Sequence, residues 1–238
     1  MKIQKSLHRG IIGKDNTAHQ LLHHEMDTPK SVIVKMKNGQ RIRVPKYADT
    51  VVGKDVKYSP ATNCDGMFMP YKYQFNNNCY NYAVNIATNS YAQPGRYSGI
   101  VGEYEANINP LVVEYNAQQD GLIKVEGIMS SYDLNNYTPS RGQEKGHFVG
   151  LMVAEGSDYH WCRCNIPYSS DKNTKYDSWS QKDGNDFVTN FDFAGNLIEN
   201  PAEANWIAPS LDYKGKITYI VYTFHCFMYV ANNSVNII

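Results

Sequence analysis

The chain has 238 residues and a mass of 27.0 kDa, which suits one sizeable domain with a small appendage and excludes two full-sized domains. Lys plus Arg and Asp plus Glu each number 23, so the formal net charge is zero. Because there is no basic excess to neutralise phosphates, we expect neither nucleic acid nor an anionic membrane as a partner. A neutral surface with 19 tyrosines is weakly protected against self-association.

The N-terminal sequence lacks the apolar stretch of a signal peptide, and no run of apolar residues is long enough to span a membrane. We therefore expect a cytoplasmic protein, or one released by a route that needs no signal peptide. The five cysteines are an odd number without the regular spacing of a disulfide framework, which favours reduced thiols.

Residues 1–70 are predicted to form an N-terminal arm. Its first 30 residues are polar and His-rich, and His19 and His23 have the one-turn spacing of metal ligands, but Gln20 stands where a zincin needs its glutamate. An exposed polar helix is the favoured interpretation there. Residues 31–37 and 40–44 alternate around Asn38 and Gly39, which predicts a β-hairpin with a two-residue turn. Residues 45–70 are rich in turn-forming residues.

Residues 71–238 are predicted to be the main domain, with helices first and an antiparallel sheet after them. One helix covers residues 79–88 with N-caps among Asn76, Asn77 and Asn78, and a second runs from Pro110 to Gln119. Strands follow over residues 147–154 and 159–165 as one hairpin, then around 187–189 and within the apolar run 217–230. Residues 219–227 of that run are interpreted as a core strand, which would pair with another chain if it lay at a sheet edge. This order predicts an α+β domain.

Cys79, His147 and Asn165 form the candidate catalytic group. A cysteine at the start of a helix lies where the helix dipole favours its thiolate. If the hairpin loop has three residues, His147 opposes Asn165, and the amide would orient the imidazole as it activates the thiol. A two-residue turn would instead place Ile166 opposite His147 and turn Asn165 to the other face.

Residues 71–238 resemble a papain-like family of cysteine hydrolases related to the NlpC type, in a branch found in bacterial and phage proteins and in some molluscan insoluble shell-matrix proteins. The matching stretches are NCYNYA at 78–83, GHFV at 146–149, DYHW at 158–161, WSQK at 179–182 and DFAGN at 192–196 running on to Pro201. Two departures are Gln181, where the family has histidine, and an insert over residues 166–177.

The resemblance implies a papain-like fold in which the helix that carries Cys79 packs on an antiparallel sheet. It implies Cys79 as nucleophile, His147 as general base and Asn165 as the position of an acid or amide. Trp179 and Asn78 are expected to line the site, with Trp179 shielding it from water. The Cys79 backbone N–H and the Gln74 side chain are the expected oxyanion hole.

No metal and no cofactor are expected. Cys162 and Cys164 share one strand face and could with Cys226 and His160 hold zinc, but a single-residue spacing is unlike a zinc knuckle, so buried thiols are favoured.

Two functions from different classes remain open. The first is a papain-like cysteine hydrolase that cleaves an amide bond in a protein or a cell-wall peptide. The alternative is a self-assembling structural or matrix protein, built on the same fold with its catalytic residues unused, whose partners are copies of itself. The neutral, Tyr-rich composition favours the second function.

Overall fold

The computed structural model describes residues 30–35, 39, 41–46, 76–100, 108–184, 186, 188–212, 214–232 and 234–238. Its elements in chain order are β1 (Lys30–Lys35), β2 (Arg41–Lys46), α1 (Cys79–Val84), α2 (Pro110–Gln119), β3 (Ile123–Lys124), a 3-10 helix (Ser131–Asn136), β4 (Gly146–Ala154), β5 (Asp158–Pro167), β6 (Trp179–Lys182), β7 (Val188–Thr189), β8 (Ile207–Leu211), β9 (Ile217–Val221) and β10 (Thr223–Ala231). The combination of helices and antiparallel sheet confirms the α+β class. The domain division at residue 70 stays a prediction.

The N-terminal hairpin is present, but its register differs from the one expected. Lys35 lies opposite Arg41, whereas a two-residue Asn38–Gly39 turn would place it opposite Ile42. Gly39 has a φ of 87°, a left-handed conformation that glycine adopts without steric cost.

A six-stranded antiparallel sheet forms the centre of the molecule, in the order β3, β10, β4, β5, β6, β7. Strand β4 is buried along its whole length, and its side chains alternate between two cores. Val149, Leu151 and Val153 face the core that contains α1 and α2. Phe148 and Met152 face a second, aromatic-rich core on the opposite side. The sheet is therefore covered on both faces: α1 and α2 pack on one of them, and Leu134 of the 3-10 helix belongs to the core on the other.

Helix α1 is short because both of its ends are fixed by asparagines. Asn78 is the N-cap: its side chain accepts from the Asn81 N–H, and the Asn81 side chain accepts from the Asn78 N–H. Asn85 adopts a left-handed conformation with a φ of 59° and ends the helix, which the sequence predicts to continue to residue 88. Helix α2 covers the predicted residues, with Asn109 as its N-cap and Pro110 at its first position.

The segment 219–227 is not a single core strand. It contains the end of β9 and the start of β10, which are separated at Tyr222. Tyr222 donates its N–H to the Trp206 carbonyl and its hydroxyl to the Asp158 carboxylate, and both bonds hold the chain at this point. β9 consequently pairs with β8 in a separate two-stranded ribbon, while β10 joins the central sheet between β3 and β4. Within the part of the chain that the structure describes, no helix has the length and apolar character to cross a membrane.

Candidate functional site

Cys79 is the first residue of α1 and is buried in the helix-side core. Helix α1 packs against β5, and the Cys79 thiol sulfur lies within hydrogen-bond reach of the Trp161 backbone N–H on that strand. The sequence predicted this position at a helix start. The thiol is therefore held against the sheet, at the level of the centre of β5.

Burial is the main influence on this thiol, and it acts against the thiolate. Desolvation raises the pKa of Cys79 far above its usual range, and the negative charges of Asp158 and Asp183 raise it further. The Trp161 N–H and the Lys182 ammonium lower the pKa of Cys79 but do not offset burial. Cys79 is accordingly a protonated, weakly nucleophilic thiol at neutral pH.

His147 lies near the start of β4 and is buried, with 1% of its surface exposed. Its Nε2 donates to the Ala83 carbonyl at 2.7 Å. Burial lowers the pKa of His147 to about 3, and the positive charge of Arg163 acts in the same direction. The imidazole is therefore neutral at physiological pH, whereas an activated cysteine–histidine pair carries opposite charges.

The hydrogen bond of His147 belongs to a group that caps the C-terminal end of α1. Arg163 donates to the Tyr82 carbonyl at 3.3 Å and to the Asn85 side chain at 3.0 Å, and its guanidinium lies 4.0 Å from the centre of the Tyr82 ring. Carbonyls at a helix C-terminus have no partner within the helix and need such donors. His147 and Arg163 thus both help to cap the C-terminal end of α1.

Cys79 and His147 contact opposite ends of α1. The sulfur contacts the backbone of Trp161, which pairs with Leu151 on β4. Leu151 is four residues from His147, and four residues of strand span roughly 13 Å. His147 instead contacts Ala83, in the last turn of α1. The thiol and the imidazole thus have different hydrogen-bond partners, the Trp161 backbone N–H and the Ala83 carbonyl.

The expected pairing of His147 with Asn165 is wrong. The hairpin does have its three-residue loop, with Ala154 opposite Asp158, but a β-bulge between His147 and Val149 shifts the register. Pro167 consequently lies opposite His147. The amide of Asn165 instead donates to Ser178 Oγ at 3.2 Å and accepts from Ser180 Oγ at 2.6 Å. A bulge leaves little signal in a sequence, so the register could not be foreseen.

The remaining expected site residues have other positions. Asn78 caps α1 and donates to the Ala92 carbonyl at 2.8 Å, so its side chain is fully used by the backbone around it. Trp179 lies in the second core, on the opposite face of the sheet from Cys79, because it pairs with Cys164. It does not shield Cys79. Gln74 lies outside the described residues, as do His19, His23 and Cys64.

Two titratable neighbours of Cys79, Lys182 and Asp183, were missed by the sequence interpretation. Lys182 is fully buried, and its ammonium donates to the Asn77 carbonyl at 2.5 Å and the Gly184 carbonyl at 2.7 Å. Burial lowers the pKa of Lys182 to about 7 and raises that of Asp183 to about 8. These residues directly follow the WSQ segment of β6, but nothing in a sequence marks a lysine as buried.

The four cysteines in the described part of the chain are buried and reduced. Cys162 and Cys164 belong to the second core, whereas Cys226 lies in the helix-side core with Cys79. The sheet therefore separates Cys226 from Cys162 and Cys164, and these three thiols cannot share one metal ion.

Insoluble matrix shell protein 1 of Ruditapes philippinarum is 35% identical to this chain over 148 residues, which are 60% of this chain and 82% of that protein. The chain belongs to the family of that shell protein. No protein-family profile and no solved structure matches the chain. The molluscan shell-matrix part of the resemblance is thereby supported, and the papain-like part is not.

Proposed function

We propose that this protein is a structural protein that assembles with copies of itself and does not use Cys79 for catalysis. The observation that carries the proposal is an exposed apolar face on the ribbon formed by β8 and β9. The shell relative, whose name describes an insoluble matrix protein, supports the same role.

Cross-strand pairing puts six apolar residues on one face of this ribbon. The pairs are Ile207 with Val221, Pro209 with Tyr219, and Leu211 with Ile217. Apart from Pro209, which is partly covered, these side chains are exposed by between 41% and 65% of their surface. The opposite face carries Ala208, which is fully buried against the second core. The ribbon is thus anchored on one face and offers the other to a partner. We name this outer surface the ribbon face.

The area and charge of the ribbon face suit a second copy of this chain. With about 200 Å² for a fully exposed large side chain, the exposed fractions correspond to about 500 Å². Two such faces would bury about 1,000 Å², which is at the lower end of specific protein interfaces. A formal net charge of zero removes the general repulsion between copies that keeps proteins apart.

The chemistry around Cys79 also supports a structural role. A protonated thiol and a neutral imidazole at opposite ends of α1 are the reverse of the ion pair that a cysteine hydrolase uses. The papain-like ancestry remains part of our proposal, since Cys79 opens a helix on an antiparallel sheet and His147 and Asn165 lie on its strands β4 and β5. In this view the fold was kept and hydrolysis of a peptide substrate was lost.

Sedimentation velocity at pH 7 over a concentration series tests the assembly. We expect the wild-type protein to form particles larger than a monomer, and Tyr219→Lys to shift it towards the monomer. Tyr219 is 65% exposed, so burying it in the interface removes roughly 130 Å² of its surface from water in each copy. Replacing this tyrosine should therefore weaken association by at least about a hundredfold.

Thr218→Lys is the matched control. Thr218 is the neighbouring residue on β9, is also exposed, and lies on the other face of the ribbon, so it receives the same charge at the same place in the chain. It should assemble like the wild type. A wild-type protein that stays monomeric at all concentrations contradicts the proposal, as does equal assembly of Tyr219→Lys and wild type.

A further inference from the structure

A second β-bulge creates a side-chain cluster that neither the fold nor the proposed function requires. Phe224 pairs with Met152, but Cys226 pairs with the adjacent residue Leu151, so His225 is an extra residue in β10. Successive side chains of a regular strand point to opposite faces, whereas a bulge can turn two neighbours to the same side. His225 and Cys226 both reach the carboxylate of Glu114 on α2 in this way.

The three side chains lie close enough to hold one ion. One ligand atom from each of Glu114, His225 and Cys226 lies within 4.8 Å of the others. His225 Nε2 is 2.7 Å from Glu114 Oε2, and the Lys124 ammonium is 3.0 Å from the other oxygen, Oε1. Glu114 and Cys226 are buried, while His225 remains partly exposed, so the cluster has an opening to solvent through the histidine.

A buried carboxylate needs hydrogen-bond donors, and Lys124 and His225 already supply them. That structural role does not call for a thiol on the same side as the imidazole. Carboxylate, imidazole and thiolate are together the ligand types that zinc binds, and three protein ligands with one open position are a usual zinc arrangement. Lys124 contacts the other oxygen of Glu114, Oε1, where it can orient the ligating carboxylate as groups around a metal site do.

We propose that Glu114, His225 and Cys226 form a binding site for a divalent transition metal ion of the zinc class. The Cys226 thiol loses its proton to solvent as the metal–sulfur bond forms, and the ion replaces the hydrogen bond between His225 and Glu114. None of these three residues belongs to the ribbon face, so the metal site stands or falls independently of the assembly.

Cobalt(II) added to the purified full-length protein is the probe. A cobalt ion bound to a thiolate gives a near-ultraviolet charge-transfer band, which histidine or carboxylate ligands alone do not produce, so binding to the His-rich N-terminal segment does not interfere. We expect one thiolate-bound cobalt per chain, displaced by zinc. The band should be lost in Cys226→Ser and greatly weakened in His225→Gln.

Cys164→Ser is the matched control, because Cys164 is a buried thiol of the same sheet on its other face. It should keep the band. Since a core variant could unfold, circular dichroism accompanies each titration, and His225→Gln, at a partly exposed position, provides a second variant. A folded wild type without the band at saturating cobalt, or a band that persists in Cys226→Ser, overturns the proposal.

Discussion

Replacing His147 with glutamine should remove a specific acid sensitivity from the protein. In the unfolded chain this histidine titrates near its usual pKa of 6.5, whereas in the folded protein burial lowers its pKa to about 3. Between these values the unfolded state binds a proton that the folded state does not. The stability due to a neutral His147 is therefore complete above pH 6.5 and is lost as the pH falls towards 3.

The size of this effect follows from the two pKa values. Between pH 7 and pH 5, protonation of His147 in the unfolded state lowers the free energy of unfolding by about 2 kcal/mol. Glutamine does not titrate, and its amide can donate to the Ala83 carbonyl in place of Nε2. The free energy of unfolding of His147→Gln, taken relative to that of the wild type, should therefore be about 2 kcal/mol higher at pH 5 than at pH 7.

Urea unfolding, followed by tryptophan fluorescence in dilute solution at both pH values, measures this difference. His147→Ala serves as the comparison, because it leaves the buried Ala83 carbonyl without this donor and should cost roughly 3 kcal/mol at pH 7. Equal changes in stability for wild type and His147→Gln between the two pH values would refute the reasoning. His147 would then titrate at the same pH in the folded and unfolded states.

Two further predictions concern the backbone around α1 and β4. Asn78→Ala removes the N-cap of α1 and the bond to the Ala92 carbonyl, and should lower the free energy of unfolding by about 1–2 kcal/mol in urea; an unchanged value would show that the cap is not formed. Gly146→Ala would place a methyl group against the Val230 carbonyl and should lower the free energy of unfolding by about 3 kcal/mol. Gly127→Ala has open space around its methyl group but a φ of 72°, and should lower it by about 1 kcal/mol. Equal melting temperatures for these two variants would contradict the close approach at Gly146.

The sequence predicted the features that depend on local pattern. The helix start at Cys79, the cap at Asn78 and the helix from Pro110 to Gln119 follow from capping and first-turn preferences, which act within a few residues. The hairpin of β4 and β5 follows from its two apolar runs. These features were sufficient for the α+β class.

The features that depend on long-range pairing were not predicted. Register is set by bulges, and those at His147 and at His225 leave no composition signal. The first bulge separated His147 from Asn165, and the second brought His225 and Cys226 to Glu114. Chain order alone had suggested the catalytic group, but chain order does not fix which end of α1 a side chain reaches.

The reaction of Cys79 with iodoacetamide tests most directly our central claim, that this chain builds structure and does not perform thiol chemistry. The folded protein is labelled across a pH series, and each modified cysteine is mapped by mass spectrometry. We predict that Cys79 reacts no faster than Cys162 or Cys164 at any pH below 8, and that His147→Gln does not change its rate. Selective modification of Cys79 well below pH 8 that is lost in the His147→Gln variant would contradict the account.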